Sequence, residues 1–343
     1  MPTSNHFVVC GIRKMYGLRL GRTIGLALLT TGAIAMGGAA VAVESTVDIV
    51  TGVAYAERDS GPLKADVYIP KGEGPFPGML VVHGGAWRMG TREQLAGAAL
   101  FLAEHGYTAV AIEYRLAPQD KWPAQIYDCA AAVRWMREHA KEYKIDRTRI
   151  GGFGYSAGGH LVALLGTLGD DQLREPGVAA DAASARLQVV LAGGAPCDFR
   201  SIAADSDRLA YWLGGTPAEK PDAYRDASPA NYVAASDPPM FFFHGDSDEL
   251  VQIRSPQKMV ERLRELGIPA EFYIVKGAGH IPAALDQGAR ERARAFADHV
   301  LKGEPLKPEP SASVPTAGAE ALSPASGPTA PASSSQSAPS HVQ

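Results

Sequence analysis

The run Arg149-Ile150-Gly151-Gly152-Phe153 leads into Gly154-Tyr155-Ser156-Ala157-Gly158, and helical spacing begins at once at His160. An apolar, Gly-rich segment that delivers a serine between two glycines and then turns into a helix permits few backbones. It predicts a strand that ends in a turn so tight that only Gly fits beside the serine, the layout of a nucleophile elbow. The pentapeptide alone carries little weight. It gains meaning only if oxyanion donors, a carboxylate and a histidine follow in a workable order.

The surrounding pattern agrees with such a strand. Gly78–Val82 is a short continuous apolar run, as a strand buried on both faces would be. Leu63–Pro70 alternates like an early antiparallel strand. Further strands are expected at Tyr107–Ile112, Arg149–Phe153, Leu187–Ala192, Pro239–Phe243 and Glu271–Val275. Helices are expected at Arg92–His105, Ile126–Tyr143, Met259–Leu266 and Ala289–Leu301. This alternation implies an α/β fold, a mostly parallel central sheet with helices on both faces and catalytic groups at the carboxyl ends of its strands.

Both ends of the 343-residue chain depart from globular composition. Arg13, Lys14, Arg19 and Arg22 precede an uncharged stretch from Ile24 to Val43 that closes on Ala40-Val41-Ala42. Residues 1–42 therefore read as an export signal, with a retained membrane anchor as the alternative. Residues 304–343 are Pro, Ala and Ser with few large apolar side chains, which predicts a disordered tail. The folded domain is expected over residues 44–303, outside the cytoplasm and free of the membrane once the signal is removed. A net charge of -4 gives no electrostatic reason to expect a nucleic acid partner. No His/Cys cluster has metal-ligand spacing, so neither metal nor cofactor is expected. Cys129 and Cys197 are expected as buried free thiols rather than a disulfide, because nothing local brings them together.

His83-Gly84-Gly85-Ala86-Trp87 follows directly on the strand at Gly78–Val82. Two glycines there let backbone N–H groups approach a developing oxyanion. The backbone N–H of Ala157, just after the serine, is the complementary donor. Three aspartates are candidates for the acid: Asp198, Asp246 and Asp248, the last two in the loop after Phe241–Phe243. Of nine histidines, His280 follows the last strand through Lys276-Gly277-Ala278-Gly279, a loop able to carry an imidazole to the serine. His83 is expected to support its loop, and His160 and His244 either to pack or to support the groups that do the chemistry.

Taken together, these motifs resemble the α/β-hydrolase superfamily of carboxylesterases, close to its hormone-sensitive-lipase-like and acetyl- or feruloyl-esterase-like branches. The matching residues are His83–Trp87, Tyr114–Pro118, Trp122-Pro123-Ala124 with Asp128, Gly154–Gly159, His244-Gly245-x-x-Asp248-x-x-Val251 and Gly279-His280. The resemblance covers about residues 60–300. It implies the α/β-hydrolase fold, a Ser156-Asp248-His280 triad, and an oxyanion hole from the N–H groups of Gly85, Ala86 and Ala157. His83, Gly84 and Trp87 are then supporting loop residues. Ala86 stands where the lipase-like branch usually has a third Gly, which crowds bulky substrates such as tertiary-alcohol esters.

The expected function is hydrolysis of short-chain or small soluble carboxylic esters, with acetyl or feruloyl esters of polysaccharide as one substrate class. No long lid insertion is expected. Residues 198–238 carry Phe199, Leu209, Tyr211, Trp212 and Leu213, which either form a small partial cap or pack helices onto the sheet. An arylformamidase-type amidase, a prolyl-oligopeptidase-type peptidase and a non-catalytic small-ligand receptor are the alternatives. The peptidase would need a propeller for which there is no room, and the receptor class loses a triad member.

Overall fold

The computed structural model describes residues 45–306, so the expected signal at 1–42 and nearly all of the expected tail lie outside the described residues. Eight strands form one sheet: β1 (Val47–Ala56), β2 (Leu63–Pro70), β3 (Phe76–Val82), β4 (Thr108–Ile112), β5 (Ile145–Tyr155), β6 (Val189–Gly193), β7 (Met240–Gly245) and β8 (Ala270–Val275). Their spatial order is β1-β2-β4-β3-β5-β6-β7-β8. The pairs β1/β2 and β2/β4 are antiparallel, and every pair from β4 to β8 is parallel.

The two faces follow from the period of two along each strand. Leu80, Val82, Val110, Ile112 and Phe242 point to one face, under α2 (Ala124–Glu138), α3 (Ala157–Thr167) and α6 (Arg254–Glu265). Met79, Val81, Ala109, Ala111, Phe241 and Phe243 point to the other, under α1 (Ala96–Glu104) and α8 (Gln287–Lys302). Every residue of β4 and β7 is buried, which is why these strands read as unbroken apolar runs.

Several boundaries differ from expectation: β5 begins at Ile145 rather than Arg149, and α6 at Arg254 rather than Met259. The helix expected to reach Tyr143 stops at Glu138, and His139 and Ala140 turn the chain into β5. The first strand was not visible in the sequence. Most of β1 is exposed or half-exposed, so it lacks the apolar signature of the inner strands. Three short helices, α4 (Ala210–Leu213), α5 (Pro221–Asp226) and α7 (His280–Ala284), occupy connections at the carboxyl side of the sheet. Cys129 and Cys197 are buried free thiols. Among the described residues, no helix is long and apolar enough to cross a membrane, and no group of acidic, His and Cys side chains could hold a metal ion.

The parallel register is what gathers the site. Val82 pairs with Gly154, Gly154 with Ala192, Ala192 with Phe242 and His244 with Ile274. The loops after β3, β5, β7 and β8 therefore leave the same edge of the sheet, and they bring the residues of the expected triad and of the loop at His83–Trp87 together there.

Candidate active site

Ser156 joins β5 to α3 with φ 56° and ψ −120°, a region L-residues seldom occupy. Close packing holds it there. A Cβ on Gly158 would lie 1.9 Å from the Val82 carbonyl oxygen, and one on Gly154 would lie 2.3 Å from that of Gly158. The elbow is thus pressed against β3 with no space for a methyl group. The Ser156 N–H donates to Gly193 O (2.8 Å), and its carbonyl accepts from His160 N (2.9 Å). The side chain stays partly exposed at the cleft.

From Ser156 a continuous hydrogen-bond path runs to Asp248. Ser156 Oγ lies 2.9 Å from His280 Nε2, and His280 Nδ1 donates to Asp248 Oδ2 at 2.6 Å. The structure therefore brings together the three residues expected from the sequence. His280 is the first residue of α7 rather than part of a free loop, and Tyr155 OH bonds its carbonyl oxygen. The elbow strand thus anchors the backbone that presents the imidazole.

The Asp248 side chain is fully buried. Its Oδ1 accepts from the N–H groups of Leu250 and Val251, each at 2.9 Å. Burial alone would raise its carboxyl pKa. The bonds from Val251 N–H, the His280 ring and Leu250 N–H outweigh that and hold it below the ordinary value. His244 Nε2 sits 2.9 Å from Val251 O and 3.1 Å from Asp248 Oδ2, so it donates toward both and braces the acid loop. The other aspartates are engaged elsewhere. Asp246 accepts from Gly277 N and pairs with Lys276, and Asp198 pairs with Arg200.

The loop after β3 has Gly85, Ala86 and Trp87 all at positive φ (109°, 51° and 57°). Gly85 is needed for more than its torsion, because a Cβ there would lie 2.0 Å from Met89 O. The loop's carbonyls are tied back. Arg88 N and Met89 N bond Gly85 O, His83 Nδ1 bonds Gly84 O, Tyr114 OH bonds His83 O and Tyr211 OH bonds Ala86 O. The N–H of Ala157, in the first turn of α3, has no carbonyl four residues back within the helix. His83 stacks on Tyr114 at 4.2 Å, and burial lowers its pKa, so it supports the loop as a neutral ring.

Trp87 anchors the other side of the loop. Its Nε1 donates to His160 Nδ1 (3.2 Å), whose Nε2 donates to Ala227 O (2.7 Å). Burial pushes the His160 pKa down to about 4, so the ring is neutral and its tautomer is fixed by the two bonds. Trp87 stacks face to face on Trp212 at 3.7 Å, and Phe199 meets both edge-on. Phe199 and Trp212 therefore pack beneath the loop after β3. Tyr211, half-buried and bonded to Ala86 O, lies at the loop surface. Asp128 is buried, accepts from Arg115 and Arg58, and ties the segment after β4 to α2.

Sequence reasoning missed the bracing roles of Tyr155 and Tyr211. Each meets a partner 125 residues away, and no local pattern encodes such pairing. His244, expected as a packing or supporting group, supports the acid loop from four residues before Asp248.

An eight-stranded, mostly parallel sheet with an elbow serine, a histidine and an aspartate bonded in series at its carboxyl edge defines the α/β-hydrolase class. Within that class, the BD-FAE family model matches residues 65–263, more than half of the chain. The chain belongs to the BD-FAE family. It is 34% identical over 231 residues to "Esterase LipC" of Mycobacterium tuberculosis, covering 65% of this chain and 57% of LipC. The chain thus spans about half the length of the curated relatives it matches. Among solved structures it is similar to a truncated carbohydrate esterase from gut microbiota (26% identity, TM-score 0.67, covering 76% of this chain and 98% of that one). It is also similar to the propionate-bound thermophilic esterase Est2 of Thermogutta terrifontis (25% identity, TM-score 0.63, covering 75% of this chain and 94% of that one).

Proposed function

We propose that this chain is a serine carboxylesterase acting on short-chain or small soluble carboxylic esters, with acetyl or feruloyl esters of polysaccharide as its substrate class. The observation that carries this reading is the unbroken path Asp248–His280–Ser156, ending on a serine locked in a strained elbow. His280 Nε2 takes the Ser156 proton as Oγ attacks the ester carbonyl, and Asp248 holds the imidazole in the required tautomer and balances its positive charge. The N–H groups of Gly85, Ala86 and Ala157 receive the oxyanion, each such donor being worth about 3–4 kcal/mol. The alcohol leaves with the proton from His280, water attacks the acyl-enzyme, and the acid is released.

The substrate class draws on three supports. One relative by fold is described as a carbohydrate esterase, and another holds propionate. Leu250 and Ile281, near Asp248 and His280 in sequence, are exposed apolar side chains that suit an acyl group with apolar surface. Finally, the basic and then uncharged N-terminal segment fits a protein exported to polymeric substrates, and the mass of the mature chain tests that point.

The decisive assay is hydrolysis of p-nitrophenyl acetate, butyrate and octanoate, and of acetylated xylan and methyl ferulate, by wild type and Ser156→Ala. The expected result is turnover of the shorter esters that falls to background in the variant. Equal rates in the two proteins would refute the esterase reading.

A further inference from the structure

A cavity of about 530 Å³ opens between the start of α2, the end of α3 and the α5 region, and none of its lining residues belongs to the triad or the oxyanion loop. Leu168 at its base lies twelve residues along α3 from Ser156, which is about 18 Å of helix. Three aromatic side chains line it, Trp122, Tyr127 and Tyr232, and all three are partly exposed. Aromatics left half open to solvent in one concave site, rather than turned into the core, offer flat apolar faces to a ligand.

The polar groups around them are of both kinds. Gln172 uses its Oε1 on Gly169 N, and Asn231 uses its Oδ1 on Arg200. The Gln172 amide nitrogen is therefore left to donate, whereas that of Asn231 is turned to the Tyr232 hydroxyl. Tyr232 OH in turn donates to Asp226 Oδ1 (3.4 Å), and Asp226 and the Tyr127 hydroxyl supply acceptors. The one cation among the lining residues, Arg225, pairs with both Asp226 and Asp222, which leaves no free positive charge to recruit an anion. A ligand suited to the site carries no negative charge, is rich in hydroxyls that both donate and accept, and is flat and apolar on its ring faces. Pyranose rings have these properties. The volume admits a short segment of a neutral oligosaccharide.

We propose that this cavity is a second, non-catalytic binding site for a neutral polysaccharide chain, separate from the serine site. Trp122 lies edge-on to Trp212 at 5.8 Å, and Trp212 stacks on Trp87 of the oxyanion loop. Rigid aromatic packing thus separates the sugar site from the reacting serine and fixes the distance between them. A chain held here keeps its ester-bearing neighbours near the cleft. The site does not depend on the esterase reading, because binding needs no hydrolysis.

The test uses the full chain carrying Ser156→Ala and two probes without ester groups, xylohexaose and cellohexaose, followed by calorimetry and by tryptophan fluorescence. Saturable binding of at least one probe is expected, weakened about tenfold by Tyr127→Ala or by Tyr232→Ala. Gln172→Ala, at an exposed side chain, also weakens binding and answers the question if a tyrosine variant does not fold. In the Ser156 background the same variants should hydrolyse p-nitrophenyl acetate within about twofold of wild type. The proposal is overturned if neither probe binds, or if binding is unchanged in the cavity variants. It is equally overturned if covalent blocking of Ser156 with a phosphonate abolishes binding, since the sugar then lies in the catalytic cleft. Failure of ester hydrolysis with sugar binding intact would count against the esterase reading alone.

Discussion

Ser156 and Asp248 end neighbouring parts of one hydrogen-bonded path, yet different forces hold them. The serine is set by exclusion: β3 and the glycines leave its backbone no other place, and no charge is involved. The aspartate is set by attraction, through two backbone N–H groups, the His280 ring and His244. One region is therefore sensitive to a single methyl group and the other to a single proton. The contrast explains why the elbow shows in a sequence as a glycine pattern, whereas the acid shows only as one of three competing aspartates.

The largest expected effect is on the aspartate side. Asp248→Asn keeps the shape but loses the charge and the tautomer it imposes, and kcat should fall by about 10⁴-fold. A loss below tenfold, measured on p-nitrophenyl acetate, would mean that Asp248 is not the group orienting His280.

On the serine side the sign is reversed, with stability hit first. Gly158→Ala forces a Cβ into the Val82 carbonyl and should cost on the order of 4 kcal/mol, lowering the melting temperature by roughly 10 °C. A melting curve that overlays wild type would break the claim that sterics hold the elbow.

Proton sensitivity divides into two pH windows. His160 is buried neutral with a pKa of about 4 against an ordinary 6.5. The unfolded chain therefore takes up its proton first as pH falls. The stability it supports is whole above pH 6.5 and drains between 6.5 and 4, by about 3 kcal/mol in all. Asp248, with its carboxyl held below the ordinary carboxylate value, contributes stability that is present above that value and is lost only as pH falls through its lower folded one. Melting temperature against pH should thus decline in two stages, and His160→Gln should shrink the upper one, which the buried rings of His83 and His244 share. A single decline confined to the lower stage would contradict the assignment.

The smallest effect is a control on the glycines. Gly97 is exposed in α1 with nothing within 4 Å of an added Cβ. Gly97→Ala should stabilise by about 0.5–1 kcal/mol, a gain readable in urea unfolding. Destabilisation there would mean that Gly158 is costly merely for being helical.

Much of the inner architecture was legible because buried parallel strands are apolar throughout, as in β3, β4 and β7. The edge strand β1 was not, since solvent covers most of it and selects no pattern. At the site, Ser156 and His280 followed from spacing, and Asp248 was chosen over Asp246 only through resemblance. The reason is physical: both acids leave the same strand, and tertiary contacts turn Asp246 to Gly277 and Asp248 to His280. Likewise, the residues of the 198–238 segment looked equally suited to a cap or to packing. Only the stacking of Trp212 on Trp87 separates Trp212, inside, from Tyr211, at the surface.

The central claim is that Ser156 is a nucleophile activated by His280. Labelling with a fluorophosphonate, followed by peptide mass mapping, tests it most directly. A single adduct is expected on Ser156, forming at least about a hundredfold more slowly in His280→Ala. An adduct on another residue, or an undiminished rate without the imidazole, would contradict the account.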